Sequence, residues 1–400
     1  MFTSRLRFLT AGESHGPSLT GVLEGMPAGV AIDEAVILAQ LQRRQHGYGS
    51  GGRMKIESDH ARITSGVMAG RTTGAPISFV IENADFKNWQ DREIKPMTVP
   101  RPGHADLTGT AKYGYRELRL SLERASARET AMRVAIGTAC RSLLSVFGIE
   151  IGGYVTRIGH VDCSDEEPLN DAAKLRARFA AAEANNVRCH DDSAVAAMQQ
   201  AIETTIKDKN TLGGIVEIVA LGLPVGLGSH VHYDRRIDAR IAGALMSIHA
   251  AKGVEFGCGF SVTSRQGTQA QDELRRDGDR IVRDTNRAGG IEGGITNSAP
   301  VIARTAIKPI ATTIASLQSV DLASGEASAT NYERSDFCQV ARAVPIAEAM
   351  MAIVLADALC EKLGGDSLAE MQPRFDALAQ LRLEDLPMDA APWSFGYETS

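Results

Sequence analysis

Two histidines lie in loops of small residues: His15 within Gly12-Glu13-Ser14-His15-Gly16-Pro17, and His104 within Arg101-Pro102-Gly103-His104-Ala105-Asp106. Imidazole is the side chain whose proton moves most readily near neutral pH. Flanking glycines let the backbone approach a bound ligand with no Cβ in the way. A third segment, Glu123-Arg124-Ala125-Ser126-Ala127-Arg128-Glu129-Thr130, follows with paired arginines. These residue types suit acid–base chemistry beside an anionic substrate. His15 can donate to a leaving oxyanion once within hydrogen-bond reach. Ser14 invites a nucleophile reading, but adjacent residues rarely face one another as a Ser–His pair must. A general acid fits better than a serine hydrolase, and a turn-capping His15 is the structural alternative.

Asp106 stands two residues beyond His104 and is a candidate to orient its ring. Neither histidine has a companion ligand at helical or hairpin spacing, so no metal is expected. Ser126 can cap a helix, with Glu129 completing a capping box; a helix N-terminus with Arg124 beside it is also an anion site. The run Asn286 to Asn297, with Gly289-Gly290 and Gly293-Gly294, reads as a backbone-lined cradle for a flat or phosphorylated ligand. It matches neither the dinucleotide fingerprint nor a Walker loop. Lys308-Pro309-Ile310-Ala311-Thr312 offers a charge at a strand end. Arg334-Ser335-Asp336 offers a phosphate clamp and a base, or else a surface ion pair.

The elements that must position these groups read as strands over 18–24, 76–82, 214–221 and 300–307. A helix capped by Asp33 runs through Ile37 and Leu41 to Arg44. Ser126 to Phe147 carries apolar residues at helical spacing, Arg236 to Ala251 reads as a third helix, and Pro345 opens a fourth that Gly364-Gly365 closes. Alternating strands and helices give an α/β or α+β chain. Ser164 to Asp171 is expected to be a surface excursion, 265–296 a long functional or disordered loop, and the tail beyond Pro387 loosely held.

The 400 residues suffice for a sizeable core, and a net charge of −6 argues against binding nucleic acid or acidic membranes. Arg43, Arg44, Arg53, Arg101, Arg124, Arg128, Arg287, Lys308 and Arg334 nonetheless sit in or beside Gly/Ser/Pro-rich loops, which suits a small multiply charged anion. Six scattered cysteines without a Cys-x-x-Cys pair, and no apolar signal core at the N-terminus, fit a reducing cytoplasm. The apolar run from Pro345 to Leu363 is broken by Glu348 and Asp357 and reads as too polar and short to span a bilayer.

Taken in order, Gly-Glu-Ser-His-Gly (12–16), Arg-Pro-Gly-His-Ala-Asp (101–106), Glu-Arg-Ala-Ser-Ala-Arg-Glu-Thr (123–130), Thr-Asn-Arg-Ala-Gly-Gly-Ile-Glu-Gly-Gly (285–294) and Arg-Ser-Asp (334–336) resemble the chorismate synthase family over nearly the whole chain. The resemblance implies one α+β domain over 1–400, with helices sandwiched between two antiparallel sheets and a loose tail from about 387, assembled as a homotetramer. It implies reduced FMN (FMNH2) as cofactor and a redox-neutral 1,4-anti elimination of phosphate from 5-enolpyruvylshikimate 3-phosphate, giving chorismate. His15 would protonate the departing phosphate, and His104 would protonate or stabilise the reduced flavin. Asp336, with Ser14 and Ser126, would help return a proton. Flavin contacts would come from Arg124, Ala125, Ser126, His249, Ala250, Gly293, Lys308, Pro309, Ile310, Ala311, Thr312 and Arg334. Arg44 would meet substrate or NADP. Ser50 stands where relatives often carry arginine, and Arg53 is a candidate substitute. With no added domain or nucleotide fingerprint, an external flavin reductant is expected. A flavin-binding module without catalysis would instead leave His15 and His104 dispensable.

Overall fold

A helix apolar on every side must be covered on every side, and the segment Val340–Leu363 is such a helix. The computed structural model describes residues 5–50, 59–165, 167–333 and 335–397, and places this helix in the centre. A four-stranded antiparallel sheet consists of β1 (Arg7–Ala11), β2 (Ser18–Glu24), β3 (Ala61–Ser65) and β4 (Ile77–Glu82), in the order β1-β2-β4-β3. A five-stranded one consists of β5 (Glu150–Ile158), β6 (Val161–Asp162), β7 (Gly214–Leu221), β8 (Ala251–Phe256) and β9 (Val301–Ile307), in the order β8-β9-β7-β5-β6, again antiparallel throughout.

The helices that frame the two sheets are α1 (Glu34–Gln45), α2 (Asp106–Tyr113), α3 (Arg119–Ala125), α4 (Thr130–Val146), α5 (Ala172–Glu183), α6 (Asp192–Lys207), α7 (Ile237–Met246) and α8 (Val340–Leu363). α4 packs on the first sheet, α8 on the second, and each on the other. Small residues permit this closeness. A Cβ on Gly21 of β2 would meet Met132 Sδ at 2.5 Å, and one on Gly137 of α4 would meet the Ala349 Cβ of α8 at 2.4 Å. The expected α+β sandwich, with helices between two antiparallel sheets, is therefore the observed one. Alternate burial along β2 marks a sheet with one covered face. β5 is buried almost continuously, because α5 covers the outer face of the second sheet through Leu175 and Phe179.

Several boundaries differ from the sequence reading. Pro345 lies inside α8 rather than at its start. Proline has no N–H for the Ala341 carbonyl four residues back; the buried Arg188 guanidinium donates to that oxygen instead, at 2.8 Å. Val340–Leu363 is, by length and composition, long and apolar enough to cross a membrane, correcting the shorter reading, but 94% of its most apolar window lies inside the protein. Glu348 and Asp357 are paired there rather than exposed, Glu348 with Arg43 and Arg141, and Asp357 with Arg240 and the Leu6 N–H. The helix from Arg236 stops at Met246, and Ala251 onward pairs with β9 as β8. Ser126 caps a short 3-10 turn, accepting from the Arg128 N–H, whereas Glu129 bonds Thr10 and Arg133, so no capping box forms. Residues 265–296 are no open loop: they hold hairpins at Leu274–Asp277/Arg280–Arg283 and Ile291–Glu292/Ile295–Thr296.

Candidate active site

The β1–β2 turn of the first sheet, the starts of β8 and α4, the segment after β9 and the approach to α8 converge on one cavity of about 510 Å³. It brings together Ser14, His15, His104, Ala125, Ser126, His249, Ala250, the run Lys308 to Thr312, and Asp336. Residues spread over more than three hundred positions thus share one wall, and both singled-out imidazoles border it.

His15 is held by a residue that the motif reading passed over. Glu123 accepts from the His15 backbone N–H at 2.8 Å and meets its Nδ1 at 2.7 Å. A carboxylate on Nδ1 keeps the proton there and leaves Nε2 for the chemistry. Glu123 is held below the usual carboxylate range: burial opposes this, but the hydrogen bonds and charge of His15 prevail. The His15 ring lies 4.2 Å from the Trp89 ring, centroid to centroid. Trp89 is anchored by Nε1 donating to Asp85 at 3.0 Å, with the Arg92 and Arg119 guanidiniums over its ring. The turn itself is buckled by Asn83, whose Nδ2 donates to the Gly16 carbonyl at 2.7 Å and whose Oδ1 accepts from Arg128. Arg128 is buried against Asp59.

His104 has a matching arrangement. Its Nδ1 lies 2.6 Å from Asp106 Oδ1, so the residue two positions on does orient the ring. Arg101 donates to both Asp106 oxygens, at 2.7 and 2.9 Å, and to Thr312 Oγ1 at 3.0 Å. Asp106 is buried; that opposes its charge, yet the His104 and Arg101 hydrogen bonds hold it far below the usual carboxylate range. Ser14 Oγ donates to Ser126 Oγ at 3.0 Å, joining two of the singled-out hydroxyls. Lys308 Nζ docks on the Gly103 carbonyl, and Asp336 pairs with Arg342. The His249 imidazole is pushed down to about 4, first by burial, and its buried Nδ1 has no hydrogen-bond partner among the described residues.

Other expected contacts lie elsewhere. Arg124 is exposed and donates to the Thr10 and Gly12 carbonyls, outside the residues that line the cavity. Gly293 sits in the Ile291–Thr296 hairpin, away from this wall. Arg44 is buried behind it, donating to Thr130 Oγ1 at 2.9 Å and the Ala127 carbonyl at 2.7 Å. Arg53 and Arg334 lie outside the described residues. Trp89 and Asp85 were missed as wall residues, and Glu123 was not singled out as the partner of His15; one of only two tryptophans, set in a polar segment, was the available signal for Trp89.

The wall combines small apolar surfaces (Leu122, Ala125, Ala250, Pro309, Ile310 and Ala311) with the cations Arg101, Lys252 and Lys308. It would accept a flat ring bearing a phosphate, and the orphaned His249 nitrogen leaves a polar partner for it. The fold and site define an enzyme: a layered α+β protein whose cavity sets two carboxylate-backed imidazoles among cations. The chorismate synthase family model matches residues 6–360. The chain is 49% identical over 386 residues to the chorismate synthase of Syntrophotalea carbinolica, covering 94% of this chain and 98% of that one. It is 48% identical to that of Aquifex aeolicus, with 93% and 96% covered. A crystal structure of a chorismate synthase superposes with a TM-score of 0.78 at 42% identity, covering 93% of this chain and 96% of that one. The chain belongs to the chorismate synthase family, whose lyase reaction eliminates phosphate from 5-enolpyruvylshikimate 3-phosphate to leave chorismate.

Proposed function

We propose that this elimination takes place in the His15–His104 cavity with reduced FMN bound beside the substrate. The observation that carries the reading is the pair of imidazole–carboxylate dyads, His15–Glu123 and His104–Asp106, on one cation-bearing wall. When bound, reduced flavin would supply electron density for the carbon–oxygen cleavage and an acceptor for the ring hydrogen. Ala125, Ser126, His249, Ala250 and Lys308 to Thr312 would hold it, with Arg334 from the undescribed position; Arg124 and Gly293, off this wall, would have to act from another side. Lys308, Lys252 and Arg101 would meet the anionic groups of substrate and cofactor.

His15 Nε2 delivers a proton to the departing phosphate while Glu123 keeps Nδ1 protonated and the ring in place. His104, its tautomer set by Asp106, would donate to the reduced cofactor. Asp336, near Ser14 and Ser126, takes up the proton that must return to solvent. Arg44, with Arg53, would meet substrate or NADP. A single domain, a homotetramer, cytoplasmic placement and an external flavin reductant complete the reading; six free thiols support a reducing compartment.

The test is an anaerobic assay with dithionite-reduced FMN, following chorismate absorbance and phosphate release. His15→Ala and His104→Ala each lower turnover by about 10²–10⁴-fold with the fold retained. No product from the parent enzyme, or full turnover by both variants, overturns the reading. NADPH with FMN in air yields no chorismate unless a reductase is added.

A further inference from the structure

Beside β6, the edge strand of the second sheet, Cys163 and Cys189 bring their sulfurs to 3.4 Å. Cys163 follows β6 and is partly exposed; Cys189 is fully buried and bridges β5 at Val155. His190 Nε2 stands 3.9 Å from Cys163 Sγ, and the Asp191 N–H donates to Cys189 Sγ at 3.4 Å. Among the described residues no cluster could hold a metal ion, so a cysteine–histidine metal site is not the explanation.

We infer that Cys163 and Cys189 form a reversible intramolecular disulfide when the enzyme meets hydrogen peroxide. The partly exposed Cys163 sulfur attacks one peroxide oxygen, becoming a sulfenic acid and releasing water. His190 accepts the thiol proton and passes it to the departing hydroxide. The Cys189 sulfur then attacks the sulfenic sulfur, forming the S–S bond and expelling a second water. Two thiols lose two electrons and one peroxide becomes two waters.

The environments of the groups divide these roles. The Cys189 contact and burial keep the Cys163 proton on, so the first step is slow and needs peroxide in excess. Cys189 is fully buried while Cys163 is partly exposed, so Cys163 meets the peroxide and Cys189 attacks second. Burial, then the Arg178 charge, lowers His190, leaving it neutral and able to take a proton.

The bond would close the chain over α5 and clamp the segment that carries Arg188. That guanidinium donates to the carbonyls of Arg43, His46 and Ala341, joining the end of α1 to α8. The modification therefore tightens a joint behind the cavity without touching its wall.

The experiment treats the full-length reduced enzyme with excess hydrogen peroxide and reads intact mass, peptide map and melting curve. The expected result is a loss of two hydrogens, a peptide pair joined through Cys163 and Cys189, and a thermal midpoint raised by about 2–4 °C, all reversed by dithiothreitol. Cys189→Ser leaves Cys163 as a sulfenic acid that dimedone captures, and Cys163→Ser shows neither product. Both variants keep the parent's turnover. Cys163 accumulating as sulfinic acid in the parent while Cys189 stays open to alkylation after denaturation, or a joined pair made from other cysteines, overturns the proposal.

Discussion

Glu123 grips His15 at two points, one carboxylate oxygen on the backbone N–H at 2.8 Å and the other on Nδ1 at 2.7 Å. The carboxylate thus sets the position of the loop and the tautomer of the ring together. Glu123→Gln keeps the shape but not the charge, so turnover falls by about 10²-fold with little change in KM. Phosphate release under anaerobic conditions measures it, and a variant altered only in KM would show that Glu123 serves binding alone.

The His104 dyad predicts a pH-dependent stability. Asp106 is depressed in the folded protein, so its contribution is complete above the ordinary carboxylate pKa and is lost as pH falls toward the lower folded value. Asp106→Asn is therefore less stable than the parent at neutral pH, and the difference narrows below about pH 4. Urea midpoints across that range give the comparison.

His249 has the opposite sign. Its imidazole falls from the ordinary 6.5 to about 4 on folding, so between those values the unfolded chain binds a proton that the folded one refuses. Stability drops as pH falls through that window. His249→Gln flattens this slope, which thermal melts between pH 7 and pH 4 resolve.

Gly137 tests the helix sandwich. In an exposed helix, Gly→Ala stabilises by about 1 kcal/mol. Here the new Cβ would meet Ala349 Cβ at 2.4 Å, so Gly137→Ala destabilises by about 1–3 kcal/mol instead. The sign of the shift in denaturant midpoint decides between the two.

Arg188 and Pro345 are predicted to be coupled. Arg188→Met orphans the Ala341 carbonyl and destabilises by about 1–3 kcal/mol for each buried acceptor left unpaired. Pro345→Ala restores a helical N–H to that oxygen. The double variant accordingly loses less than Arg188→Met alone, and a double-mutant cycle in denaturant returns the coupling.

Much of the scaffold was legible because it is encoded locally. The strands at 18–24 and 214–221 and the Asp33-capped helix were read to within a residue, each from periodicity and end signals contained in its own segment. The end of the helix at Met246 was not, since 251–256 becomes a strand by pairing with 303–307, fifty residues on. Pro345 misled for a related reason: the donor that repairs its missing bond is Arg188, remote in sequence.

The chemical residues divide along the same line. Residue type marked His15 and His104, because loops rich in glycine and small residues advertise a ligand; Ser126, the 308–312 run and Asp336 gained their site roles only from the family resemblance. Which arginine faces that ligand was decided by the tertiary structure, for a guanidinium on a flexible stem goes where carbonyls and carboxylates compete best for it. Arg124 turns to Thr10 and Gly12, Arg128 to Asp59, and Arg101 to Asp106 and the cavity. Chain order specified the candidate groups; packing of distant segments chose their partners, because hydrogen-bond geometry exists only once those segments meet.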